Sequence, residues 1–227
     1  MLKHMTKNEL VFNRLRDMIY SGELRPGETV SAIEIANLLG VSRTPVNEAV
    51  RRLVDRRLVS ILPNVGFEVT VLPWEDIADL MQLKIILEQT AIAWIRDRGI
   101  AFDTAGLRKT NDEIVAAVRE ENRLAYNDAV RRYHCDFIAL AGSGPLLETF
   151  MGTWDYSGWE DTQLQEMSRE LAGQCEDHTE MLDAIDAQDF NRALSLSRTH
   201  GQRWLELFRQ NMPSAVSGRG QDQEKEL

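Results

Sequence analysis

Between Ser31 and Arg57 the chain reads SAIEIANLLGVSRTPVNEAVRRLVDRR, and no other stretch restricts the fold as strongly. Ser31 and Glu34 form a capping-box pair, in which the hydroxyl caps a first-turn amide while the carboxylate reaches back to the cap. The helix opened by that pair, AIEIANLL, is short and stops at Gly40. Ser42 begins a second helix. Pro45 is tolerated there because first-turn amides have no intrahelical partner. Val46, Ala49, Val50, Leu53 and Val54 make an apolar stripe along this second helix. Thr44, Asn47 and Arg51 fall on the opposite side, with Arg43 at the N-terminal end. Two short helices joined by a tight glycine turn, the second basic on its free face, predict a helix-turn-helix.

The flanking residues complete a small domain. Residues 7–21 place Leu10, Val11, Leu15, Met18 and Ile19 at helical spacing, and Ser21-Gly22 ends the pattern. Pro26-Gly27 breaks the chain. After the second helix come LVSIL and FEVTV, two β-rich runs separated by PNVG, which read as a two-stranded hairpin with Gly66 at its tip. From Pro73 onward strand signals vanish, and helices are expected near 74–98, 103–120, 124–141, 144–153, 159–173, 175–187 and 189–211. The expected fold class is therefore mainly α. A winged helix-turn-helix with a small β-hairpin wing occupies residues 1–72, and an all-α helical bundle occupies 73–212. Residues 213–227 are polar and aperiodic, the pattern of a disordered tail.

Charge divides the chain in the same place. The formal net charge is −10, yet residues 1–72 hold ten Lys or Arg against eight acids, leaving +2 there and −12 in the remainder. An acidic bulk disfavours loose attraction to a polyanion, so a polyanionic partner must meet the small basic face. No apolar run approaches the roughly 20 residues that span a bilayer. The start, MLKHMTKNEL, lacks the apolar core of a secretory signal. A cytoplasmic protein without a membrane partner is expected. Cys135 and Cys175 are too few for a disulfide framework and are expected as thiols.

A basic helix of this kind suits the major groove of B-DNA, which accepts an α-helix and displays a readable donor and acceptor code. Arg43 can grip guanine or phosphate, and Thr44 a base or the backbone. Asn47 is suited to adenine, and Arg51 or Arg52 to phosphate. Gly66 would let the wing approach the adjacent groove. Double-stranded operator DNA is the expected partner.

GELRPGETVSAIEIANLLGVSRTPVNEAVRRLVDRRLV together with NVGFEV resembles the winged-helix domain of the GntR family of bacterial transcriptional regulators. Two positions depart from that family. Asn47 stands where an arginine is usual, and Ile33 where a polar or charged residue often touches DNA, so an operator differing from the family consensus is expected. LKIILEQTAIAWI, YHCDFIALAGSGPLLE and DHTEMLDAIDAQDFNRALSLSRTHGQRW resemble the all-helical ligand-binding domain of the FadR subfamily, of the FCD type.

That second resemblance implies a central cavity in which His134, His178 and His200 hold a divalent metal, Zn or Ni; spacing alone does not bring the three together. Val130 stands at the family's acidic ligand position and has no donor atom, so a metal-free cavity in which the histidines meet the effector directly is the alternative. Cys175, one helical turn before His178, is a further candidate ligand. Lys84 matches an arginine that binds the effector's carboxylate, and reads equally well as a solvated helix lysine. The tryptophans at 74, 94, 154, 159 and 204 are expected in the core or the cavity wall, and His4 in a loose N-terminus.

The resemblance implies a homodimeric transcriptional regulator, a repressor rather than an enzyme, responding to a small carboxylate. A metal-free regulator responsive to acyl-CoA is the alternative. A metal-dependent hydrolase is disfavoured, because no HExxH-type helix or placed general base accompanies the histidines.

Overall fold

The computed structural model describes residues 6–157 and 171–211, in two compact units that divide after Val71. In the first unit, helix α1 (Lys7–Tyr20) starts at a capping box formed by Thr6 and Glu9. Its buried face is Val11, Phe12, Leu15, Met18 and Ile19, whereas Leu10, expected in the stripe, is 52% exposed. Phe12 takes the core position instead. Helix α2 (Ala32–Leu39) opens at the Ser31–Glu34 capping box and ends at Gly40, whose left-handed backbone (φ 64°) turns the chain into α3 (Arg43–Asp55). Helix α3 lays Val46, Ala49, Val50 and Leu53 into the core, mainly against α1.

The sheet has three strands rather than the expected two. Strand β2 (Val59–Leu62) pairs antiparallel with β3 (Gly66–Val69), and β1 (Thr29–Val30), just before α2, pairs along the other edge of β3. Phe67 thus lies opposite both Val30 and Ile61. A two-residue strand is too short to show alternation, so β1 left no periodic signal.

In the second unit, the described residues form six helices around one apolar core: α4 (Trp74–Arg98), α5 (Ala105–Arg119), α6 (Arg123–Ala139), α7 (Gly144–Ser157), α8 (Leu171–Asp186) and α9 (Phe190–Asn211). The main packing pairs are α5 with α6, α8 with α9, and α4 with α9. Tyr133, Phe137, Phe150 and Phe208 are fully buried. Helix α7 outruns its expected end at 153. A helix break was expected between 173 and 175, but α8 runs unbroken from Leu171, with exposed Gly173 inside it. His4, Trp159, most of the helix expected at 159–173 and the tail 213–227 lie outside the described residues.

Candidate nucleic-acid interface and histidine cavity

In the first unit, Arg43, Thr44, Asn47 and Arg51 are all exposed on α3, opposite its buried stripe. Their spacing of one turn follows from a helix whose other face must stay in the core. The start of α3 differs from those of α1 and α2. Ser42 makes no side-chain cap, and the first turn carries no acid, so the amides and the dipole's positive end are left open to an anion. Asn47 and Arg51 line a cavity of about 190 Å³ shared with Ala32 of α2 and with Ile61 and Gly66 of the wing. The exposed row of α3 and the base of the wing therefore share one surface.

Two of the expected contact residues have surroundings that the sequence did not show. Arg52 is half-buried with its guanidinium 3.9 Å from the centre of the Phe12 ring, and Arg56 approaches the same ring at 5.0 Å. Arg52 thus lies over α1 and away from the exposed row. Gly66 is not the tip of the wing: it pairs with Leu62 at the last rung, and Pro63, Asn64 and Val65 form the turn. A Cβ on Gly66 would lie 2.9 Å from Ser31 Cα and collide with the carbonyl of Val30. Glycine is needed there because the backbone at the start of α2 passes so close. Ile33, the unusual apolar residue of α2, is 52% exposed.

In the second unit, the three histidines converge. One nitrogen from each of His134 (α6), His178 (α8) and His200 (α9) lies within 4.8 Å of the other two, and all three rings are buried. Each ring has its Nδ1 turned toward a buried acceptor on a different part of the bundle. His134 Nδ1 lies 2.5 Å from Glu88 Oε1, and the other oxygen of Glu88 accepts from Ser197 Oγ at 3.1 Å. His178 Nδ1 lies 2.9 Å from Asn111 Oδ1. The Asn111 amide donates to the Cys175 carbonyl and to Thr179 Oγ1, which fixes its oxygen as the acceptor and His178 Nδ1 as the donor. His200 Nδ1 faces Asp177 Oδ2 at 3.6 Å, while Arg203 holds the other oxygen of that carboxylate. Tyr133 stacks on His178 with ring centres 4.0 Å apart.

Charge follows from this geometry. Burial, with His200 and His134 adjacent, holds His178 well below the ordinary imidazole range. Burial also lowers His134, against the pull of Glu88. Burial pushes the Glu88 carboxyl up, but attraction and hydrogen bonding from His134, with help from His200 and Ser197, outweigh it and keep the group ionised.

Donor-set chemistry fits a cation. His178 carries its proton on Nδ1, so its Nε2 presents a lone pair to His200 Nε2, only 3.2 Å away. Without a cation, His200 must place a proton on that Nε2. His200 Nδ1 and Asp177 Oδ2 then confront each other, and both are buried without a hydrogen bond. A divalent ion held by the three histidines would free His200 to carry its proton on Nδ1, the side that Asp177 Oδ2 faces. Val130 offers no ligand and sits in the cavity wall. Cys175 is outside the cluster: its thiol donates to the Leu171 carbonyl, and burial pushes it up to about 11.

The cavity beside the histidines has a volume of about 40 Å³ and is lined by Lys84, Glu88, His134 and His200 together with apolar side chains, among them Val130, Phe150, Trp154 and Trp204. Lys84 is buried rather than solvated, and its ammonium lies 4.3 Å from the centre of a Trp154 ring. Glu88, Asn111 and Asp177 escaped sequence reasoning. Glu88 left a usable signal, since it stands one turn after Lys84 on the face that buries Ile85, Ile92 and Ile95. An acid on an apolar stripe demands a buried partner.

A winged helix-turn-helix followed by a helical bundle with a buried histidine cluster defines a DNA-binding transcriptional regulator. Residues 7–69 match the bacterial regulatory proteins of the gntR family, and residues 79–203 match the FCD domain. The chain belongs to the FCD-containing group of the gntR family and is a regulator, not an enzyme. It is 32% identical to the uncharacterized HTH-type regulator YdhC of Bacillus subtilis over 107 residues, which is 47% of this chain and about half (48%) of that protein. It is 27% identical over 196 residues to a probable D-xylose utilization operon transcriptional repressor of Paenarthrobacter nicotinovorans, covering 82% of this chain and 83% of that one. A GntR regulator structure from Rhodococcus sp. RHA1 superposes with a TM-score of 0.77 at 23% identity, over 92% of this chain and 100% of that chain, a likeness of fold. Among the described residues no helix is long and apolar enough to cross a membrane.

Proposed function

We propose that this regulator is a homodimeric repressor whose operator affinity is set by a small organic acid bound in the histidine cavity, through a Zn or Ni ion held by His134, His178 and His200. When bound, the ion supplies a positive centre for a carboxylate. The chain's own residues orient that centre: Glu88 and Asn111 hold the Nδ1 atoms of His134 and His178, and Asp177 faces that of His200, which leaves the opposite ring nitrogens for the ion. Lys84 supplies a second positive group, positioned by Trp154. The reading as an acyl-CoA sensor is less well supported, because a 40 Å³ void has no room for a long acyl chain.

On the DNA side, Arg43, Thr44, Asn47 and Arg51 form the reading surface, with the open start of α3 on phosphate and Arg52 supporting α3 from behind. The single observation that carries the DNA half is the exposed polar row on α3 backed by a fully apolar face. The repressor assignment leans on the likeness to the xylose-operon protein. The proposed dimer suits a palindromic operator, in which protein and DNA share a two-fold axis.

The test is binding to DNA from the chain's own promoter region at several salt concentrations. An R43Q/R51Q variant should lose at least tenfold in affinity and flatten the salt dependence by about two contacts. Unchanged affinity and slope would remove α3 from the interface.

A further inference from the structure

Resting on the reading of α3 as the DNA-reading helix, we propose that the first turn of α2 is a second base-reading element. Ile33 packs on the C5-methyl of a thymine while Asn47 grips an adenine, so this part of each half-site is A·T rather than G·C. The first turn of α2 shares the surface of α3. Ala32 lines the same cavity as Asn47 and Arg51, and the start of α2 lies against the base of the wing, where a Cβ on Gly66 would come within 2.9 Å of Ser31 Cα. Ile33, the next residue, is 52% exposed, whereas Ile35 and Ala36 beyond it turn into the core. Ile61, which lines the cavity from the wing, is 55% exposed. One exposed apolar side chain is ordinary, but Ala32, Ile33 and Ile61 stand together beside a polar pair that meets DNA.

The two helix starts offer different chemistry. At α3, Ser42 makes no side-chain cap and the first turn carries no acid, which suits a phosphate. At α2, the Glu34 amide donates to the Ser31 hydroxyl at 3.1 Å, and the Ser31 amide donates to the Glu34 carboxylate at 2.8 Å. Those donors are occupied, and the exposed carboxylate repels a phosphate. What this turn still presents to a duplex is a branched hydrocarbon. The apolar group displayed in the major groove is the methyl of thymine.

Asn47 selects the same kind of pair. Its side chain offers one oxygen acceptor and one NH₂ donor, which match the N6 amino group and N7 of adenine. Guanine shows two acceptors on that edge, N7 and O6, and would set one of them against the amide oxygen. Arg51, one turn further along α3, is left for a flanking phosphate.

The experiment selects binding sites from a random duplex library with the full chain. Each thymine of the selected site is then replaced in turn by deoxyuridine, which removes the methyl and keeps the base pair, and affinity is read by fluorescence anisotropy. At least one replacement should weaken binding at least threefold, about what burying one methyl group supplies. The same replacement should have no effect on Ile33→Ala, and Asn47→Ala should relax the choice of adenine at one position. Both side chains are exposed, and thermal unfolding verifies that the variants fold. A site in which no thymine methyl matters, a methyl effect that survives in Ile33→Ala, or a choice of adenine unchanged in Asn47→Ala would overturn the inference and leave α3 as the reading helix. A library that yields no enriched sequence would overturn both.

Discussion

Replacing Glu88 probes both the stability of the bundle and the poise of the histidine site. The carboxylate accepts from His134 Nδ1 at 2.5 Å and from Ser197 Oγ at 3.1 Å, and its side chain is only 5% exposed. Alanine would strand two buried donors and open a small void, at about 1–3 kcal/mol for each stranded group. A total loss of about 2–5 kcal/mol is expected from the two stranded donors and the void. Glutamine can still accept from His134 through its oxygen and donate to Ser197 through its nitrogen, so E88Q gives up only charge assistance, about 1 kcal/mol. Because the folded carboxyl is held below its ordinary range, its contribution is complete above the unfolded pKa and disappears as pH falls through the folded one. For metal, Glu88 acts through His134, and outer-shell carboxylates of this kind are worth about 10–100-fold in affinity. Urea unfolding in EDTA measures the first quantity, and zinc competition against a chromophoric chelator the second. E88A within 1 kcal/mol of the parent, or E88Q binding zinc with unchanged affinity, would refute the account of this pair.

Three further outcomes follow from packing. A Cβ on Gly201 would overlap the Ile85 side chain where α9 crosses α4, so Gly201→Ala should destabilise by about 1–3 kcal/mol in thermal or urea unfolding. Arg52→Ala should lower stability by about 0.5–1 kcal/mol through loss of its contact with Phe12, and should leave the salt dependence of DNA binding unchanged, whereas Arg51→Ala should do the reverse. Cys175, buried and pushed up to about 11, should resist iodoacetamide at pH 8 in the native chain and react only on unfolding, as mass spectrometry of the labelled protein will show.

Much of the first unit was legible in the residues. The Ser31–Glu34 box, Gly40 and the stripe from Val46 to Leu53 state α2, the turn and α3 in local terms, because caps and helical periodicity are short-range signals. Strand β1 was not legible, since Thr29 and Val30 become a strand only by pairing with Glu68 and Phe67. Nor was the placement of Arg52, whose environment is set by Phe12, forty residues earlier on α1. In the bundle, the helices could be read, but the convergence of His134, His178 and His200 is a tertiary fact that only the family resemblance anticipated. The partners Glu88 and Asn111 come from two further helices, and Asp177 stands beside His178 on α8 yet faces His200 of α9. Glu88 could have been noticed as an acid on an apolar face. Asn111 and Asp177 look like any polar residue of an amphipathic helix until the rings they hold are seen.

The central claim is that occupancy of the cavity changes DNA affinity. Allosteric coupling of this type is worth about 5–150-fold. The most direct measurement is the affinity of the full chain for its promoter-region DNA by fluorescence anisotropy, first metal-free, then saturated with zinc, then with zinc and acetate as the small organic acid. The account predicts at least a fivefold change between the first and last conditions, abolished in His178→Ala. Identical affinities under all three conditions, with cavity occupancy verified, would contradict it.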